Sequence, residues 1–117
     1  MAEFPSKAWF QALQARVNQD QEFQDAARWF NGRVGWQVDE EAFSLAIDRS
    51  GVTEVAEGLG RDAFIMAGPR AAWDELLAKG TINRLFRQGK IAILGDKVAA
   101  MRFWKILWYL TENARAL

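Results

Sequence analysis

The sequence predicts an α+β domain: a five-stranded, mostly antiparallel sheet with helices covering one face and an apolar cavity between sheet and helices. Three observations lead there. Apolar residues recur at helical spacing over the first thirty or so positions, the period changes to two from Val34, and helical spacing returns after Gly68-Pro69 with one short strand between the later helices. The 117 residues make a single domain, 1-117, long enough to bury about two thirds of its unfolded surface without a disulfide or metal.

Ser6, behind Pro5, can cap a first helix in which Trp9, Leu13 and Val17 share a face. Asp20 can cap a second, where Phe23, Ala26, Ala27 and Phe30 follow the i, i+3, i+4, i+7 pattern up to Gly32. Val34, Trp36 and Val38 then share one strand face, and Asp39-Glu40-Glu41 turns the chain into Phe43, Leu45 and Ile47, a second strand paired as a hairpin. Ser50-Gly51 is the next turn. Val52 to Glu57 carries two acids on a β-prone stretch, as an edge strand does, and Gly58-Leu59-Gly60 closes it. Ala63 to Ala67 reads as a fourth strand. Pro69 opens a helix running to Gly80, Thr81 caps a short one stopped by Gly89, Lys90 to Leu94 is a fifth strand, and Gly95-Asp96 caps a long terminal helix. Small or polar residues opposite the large strand residues put helices on one sheet face and leave the other nearer to water.

Composition excludes much chemistry. With no Cys and no His there is no Ser-His-Asp or Cys-His nucleophile, no imidazole or thiolate metal site and no redox pair. No cofactor, metal or catalytic residue is expected. The neighbouring carboxylates Glu40-Glu41 and Asp74-Glu75 point apart instead of converging on one bond, Ser44 has no base, and the nucleotide-binding glycine motifs are missing. The acidic start Met1-Ala2-Glu3-Phe4-Pro5 and the absence of cysteine lead us to expect a cytoplasmic protein. Charge balances overall, yet residues 1–62 carry 6 basic and 11 acidic side chains and residues 63–117 carry 9 and 4. Either the halves pack and neutralise, or the basic half faces anionic headgroups or an acidic partner. Basic residues scattered among apolar ones argue against nucleic acid.

The terminal helix is apolar most of the way round, with Arg102 and Lys105 its charges between Val98 and Leu110. Such a helix needs more than one apolar neighbour: the sheet, further helices, a second subunit, a membrane surface or a ligand. Six Trp and eight Phe add bulky rings whose gaps accept apolar molecules. The same rings also suit a protein interface.

Phe86-Arg87-Gln88-Gly89-Lys90-Ile91-Ala92-Ile93-Leu94-Gly95-Asp96, with the order of elements, resembles the sterol carrier protein type-two family: an aromatic, a Gly-Lys pair, an alternating strand, then Gly-Asp before the last helix. The resemblance spans residues 20 to 110. It implies a hydrophobic tunnel between sheet and helices that holds a fatty acid, fatty acyl thioester, sterol or other lipid, without catalytic residues. The chain ends Arg115-Ala116-Leu117 instead of in a peroxisomal tripeptide and carries aromatic bulk near its end, so a compact prokaryote-like member holding a straight-chain lipid or an isoprenoid quinone precursor is expected.

The leading expectation is therefore non-enzymatic lipid binding or transfer, with transient membrane contact. Candidate lining residues are Trp36, Phe43, Leu45, Ile47, Met66, Trp73, Leu77, Phe86, Met101, Trp104 and Trp108, some of them necessarily ordinary core. Lys90, Arg102 or Lys105 could meet a carboxylate or phosphate. The alternative is an interaction or scaffold domain that forms a homodimer, or binds a lipid-pathway enzyme, through the same aromatic helix. A lipid-free dimer sensitive to Trp104→Ala and Trp108→Ala would mark that alternative. An acyl-transfer enzyme would need turnover that Glu-to-Gln changes abolish.

Overall fold

The structure is a computed structural model that describes residues 2–117. Helices α1 (Lys7–Val17) and α2 (Gln21–Ala26) lead into β1 (Gly32–Val38), β2 (Glu41–Asp48) and β3 (Gly51–Glu57). Then follow β4 (Phe64–Gly68), α3 (Arg70–Ala78), α4 (Ile82–Arg87), β5 (Ala92–Gly95), α5 (Lys97–Arg102) and α6 (Trp104–Arg115). The five-stranded sheet has the order β3-β2-β1-β4-β5, so the acid-bearing β3 is indeed an edge. Every neighbouring pair is antiparallel except β1 and β4, which run parallel.

The four predicted side-chain caps form. Ser6 accepts from the Trp9 N–H at 3.1 Å, Asp20 from Glu22 at 3.0 Å, Thr81 from Arg84 at 3.2 Å and Asp96 from Ala99 at 3.0 Å. Three boundaries differ from expectation. Helix α2 ends at Ala26, and a turn over Ala27 to Trp29 brings Phe30 into the core before β1 begins at Gly32. The long terminal helix is two helices, because Phe103 leaves helical geometry (φ −107°, ψ 30°) while its ring meets Phe30 edge-on at 5.0 Å. Nothing in local propensity marks that break; a tertiary ring contact holds it. The fifth strand also starts two residues late, since the Lys90 N–H donates to the Leu85 carbonyl at 2.9 Å, closing the end of α4.

The inner sheet face carries Val34, Trp36, Val38, Phe43, Leu45, Ile47, Phe64 and Met66, each at most 4% exposed. Alternation put them there, and the helices cover them. Helix α1 lies along β3, and α6 packs among α1, α2, α3 and α4, so further helices answer the need of this nearly all-apolar helix for several neighbours. The other sheet face is partly roofed by the loop after β3. There the Ser44 hydroxyl donates to Asp62, whose other oxygen accepts from the Gly60 N–H at 2.9 Å, and the Leu59 side chain lies over Gly35. A Cβ on Gly35 would come within 2.8 Å of Leu59, which is why a glycine stands in mid-strand.

Candidate functional site

The segment that stood out in the sequence, Phe86 to Asp96, borders a groove. Phe86 from α4, Met101 from α5, and Gly89, Ile91, Ala92, Ile93 and Lys97 line a cleft of about 280 Å³. It continues past Phe86 and Met101 into a more open trough of about 490 Å³ walled by Asn83, Arg87 and Trp104. Gly89 makes this possible at φ +75°: it ends α4 in the left-handed region, and a Cβ there would meet only open space. Asp96 then caps α5 and sets Lys97 and Met101 one turn apart along it. The Phe86 and Trp104 rings lie 5.2 Å apart, and the Trp104 indole N–H donates to Asn83, fastening α6 to α4.

The groove floor is continuous with the inner sheet face. Ile93 is the register partner of Met66, Met66 of Trp36, and Trp36 of Phe43, so these four form one row across four strands. With strands about 4.8 Å apart, the row leads inward from the groove for roughly 14 Å.

Of the eleven lining candidates, Phe86, Met101 and Trp104 border this groove. Trp36, Phe43, Leu45, Ile47, Met66 and Trp73 are core side chains, 0–4% exposed, and border neither cleft. Trp36 stacks on Trp73 at 5.0 Å, and Phe43 on Phe10 at 4.7 Å. Leu77 and Trp108 are half-buried against that core, away from the groove. Sequence reasoning missed Ile91, Ile93, Lys97 and Asn83. Ile91 and Ile93 were legible as alternating strand residues, but nothing local showed which side of a short edge strand faces a groove.

The cations are arranged differently from expectation. Lys90 is engaged: its ammonium donates to Glu75 at 2.9 Å, and Arg84 reaches the same carboxylate at 3.2 Å. Lys90's hydrogen bond, followed by its charge and that of Arg84, holds the Glu75 carboxyl below its ordinary range. Arg102 and Lys105 line a separate cleft of about 400 Å³ with Glu22, Asp25, Trp29 and Tyr109. There the Tyr109 hydroxyl donates to Glu22 at 2.9 Å, which pushes the phenol's pKa up. Lys97 and Arg87 are the cations beside the apolar groove. Among the described residues no three metal-ligating side chains cluster, and no helix is long and apolar enough to cross a membrane.

A helix-covered five-stranded sheet whose apolar inner face runs out to a surface groove defines the class: a small α+β domain with an apolar groove. Within that class, the model of the SCP-2 sterol transfer family matches residues 10–107, and the chain belongs to that family, whose domains bind or transfer lipids and are generally not catalytic. A crystal structure of sterol carrier protein 2 is similar at TM-score 0.87 and 19% identity, covering 98% of this chain and 99% of the other. A conserved hypothetical protein from Thermus thermophilus, described as possibly a sterol carrier protein, is similar at TM-score 0.80 and 20% identity, with 97% and 89% covered. The solution structure of palmitated SCP2L2 from Aedes aegypti is similar at TM-score 0.57 and 17% identity, with 86% and 92% covered. A comparison with the curated proteins gives no match.

Proposed function

We propose that this domain is a non-enzymatic carrier of one single-chain lipid, a fatty acid or fatty acyl thioester, whose tail occupies the groove between α4, β5 and α5. The observation that carries the reading is the continuity of that groove, through Ile93, with the row Met66–Trp36–Phe43 on the inner sheet face. Burying each methylene is worth about 0.8 kcal/mol, so a long tail binds tightly without a specific polar contact. Lys97 and Arg87 stand where they can meet an anionic end. A tail reaching past Ile93 meets Met66 first, the most adaptable side chain of the row, then Trp36 and Phe43 with Leu45, Ile47 and Trp73 in the same core, against which Leu77 and Trp108 pack half-buried. The Aedes aegypti neighbour, described as palmitated, supports a fatty-acyl ligand by analogy. A chain without cysteine suits work in the cytoplasm.

Displacement of a fluorescent fatty acid tests this reading. Met101→Glu, at a position 51% exposed where the fold tolerates a charge, puts a carboxylate beside the tail and is expected to weaken binding at least about tenfold. Trp104→Ala should weaken it less, by removing one wall of the trough. Unchanged affinity in Met101→Glu would remove the groove from the account.

A further inference from the structure

We infer that this domain docks on anionic lipid bilayers through the surface around Arg102, with Trp29 and Val98 as the side chains that enter the membrane interface. Trp29 and Val98 lie outside the groove, so the inference goes beyond the carrier reading and does not depend on it. Each is 80% exposed, more than any other large apolar side chain described. Leaving an indole in water is unfavourable, whereas the ring's apolar body and polar N–H suit the boundary between headgroups and acyl chains. The two flank one cation: Trp29 and Arg102 line the same cleft, and Val98 sits one turn before Arg102 on α5.

Charge fixes the occupant. Arg28, Arg87, Lys97, Arg102 and Lys105 are exposed, and among the described residues none of them is in an ion pair. The described ion pairs all join residues of the same half of the chain, so the basic C-terminal half is not neutralised by pairing with the acidic one. The acids nearby are held locally. Glu22 accepts from Tyr109, Asp25 from the Gln21 amide at 3.0 Å, and Asp96 from the Ala99 N–H. Protruding apolar side chains set among unpaired cations match a surface of anionic headgroups over hydrocarbon, where each cation is worth about fivefold in partitioning.

Co-sedimentation with vesicles tests it, using phosphatidylcholine alone and phosphatidylcholine mixed with phosphatidylglycerol. The full chain should bind the anionic vesicles at least about tenfold more tightly than the neutral ones, and raised salt should erode that preference. Val98→Asp and Trp29→Ser, both at exposed positions that leave the core untouched, should each cut vesicle binding at least about fivefold while affinity for a fluorescent fatty acid in vesicle-free solution stays unchanged. Equal binding to both vesicles, binding to neither, or variants that bind like the parent chain would overturn the inference. An acidic protein as the true occupant of this surface would show as binding to neither vesicle. Failure of the wild-type chain to take up fatty acid would sink the carrier reading alone.

Discussion

Two buried indoles show how single residues set the core's energetics. The Trp73 N–H donates to the Gln37 carbonyl at 2.9 Å, while the equally buried Trp36 N–H has no hydrogen-bond acceptor. Phenylalanine shortens the ring at either site. At Trp73 it also removes the indole's hydrogen bond to the Gln37 carbonyl; at Trp36 it removes an orphaned donor that costs about 1–3 kcal/mol. Trp36→Phe should therefore be less destabilising than Trp73→Phe by about 1–3 kcal/mol in urea unfolding, and equal losses would contradict this assignment. Alternation and helical spacing made both tryptophans legible as inward-facing. The Trp73 partner was not legible, because Gln37 lies 36 residues away along the chain. The same holds for Asn18, whose side chain receives the Val52 N–H at 2.8 Å and donates to the Val52 carbonyl at 2.9 Å, fastening the end of α1 to β3.

At the level of elements, caps and turns were the readable features, since each is a short-range contact between a side chain and nearby backbone. Ser6, Asp20, Thr81 and Asp96 cap as expected, and Gly89 and Gly95 take φ values of +75° and +91°. Two features failed to show because they are tertiary in origin, the Phe103 break and the parallel pairing of β1 with β4; the late start of β5 instead follows from the Lys90 N–H closing the end of α4. One tie between elements yields a pH prediction. Glu75 on α3 holds both Arg84 on α4 and Lys90 before β5, and its folded carboxyl titrates below the ordinary value of 4.5. A carboxyl lowered by folding stabilises the native state at neutral pH, and that contribution fades as pH falls below 4.5 and the group protonates. Glu75→Gln should be less stable than the parent at neutral pH, with the difference shrinking as pH falls below 4.5. A difference constant over that window would mean the tie contributes packing and not charge.

For the whole molecule, the sequence made the fold class and the charge asymmetry plain, and the Phe86–Asp96 signature carried the family resemblance. It did not separate groove from core among the large residues. Phe43, Leu45 and Ile47 follow the same inward pattern whether or not a ligand reaches them, and Phe86, Met101 and Trp104 are distinguished only by where β5 ends the sheet and α5 turns away at Phe103. Net neutrality likewise conceals a molecule whose ion pairs stay within each half, leaving the cations around Arg102 available.

The central claim is that this 13.3 kDa domain holds one lipid chain. Native mass spectrometry of freshly purified protein, offered a long-chain fatty acid where none has been retained, tests it most directly. The account predicts a one-to-one adduct, lost on solvent extraction, whose released component is a fatty acid or fatty acyl thioester. A protein that carries no lipid and acquires none would contradict it.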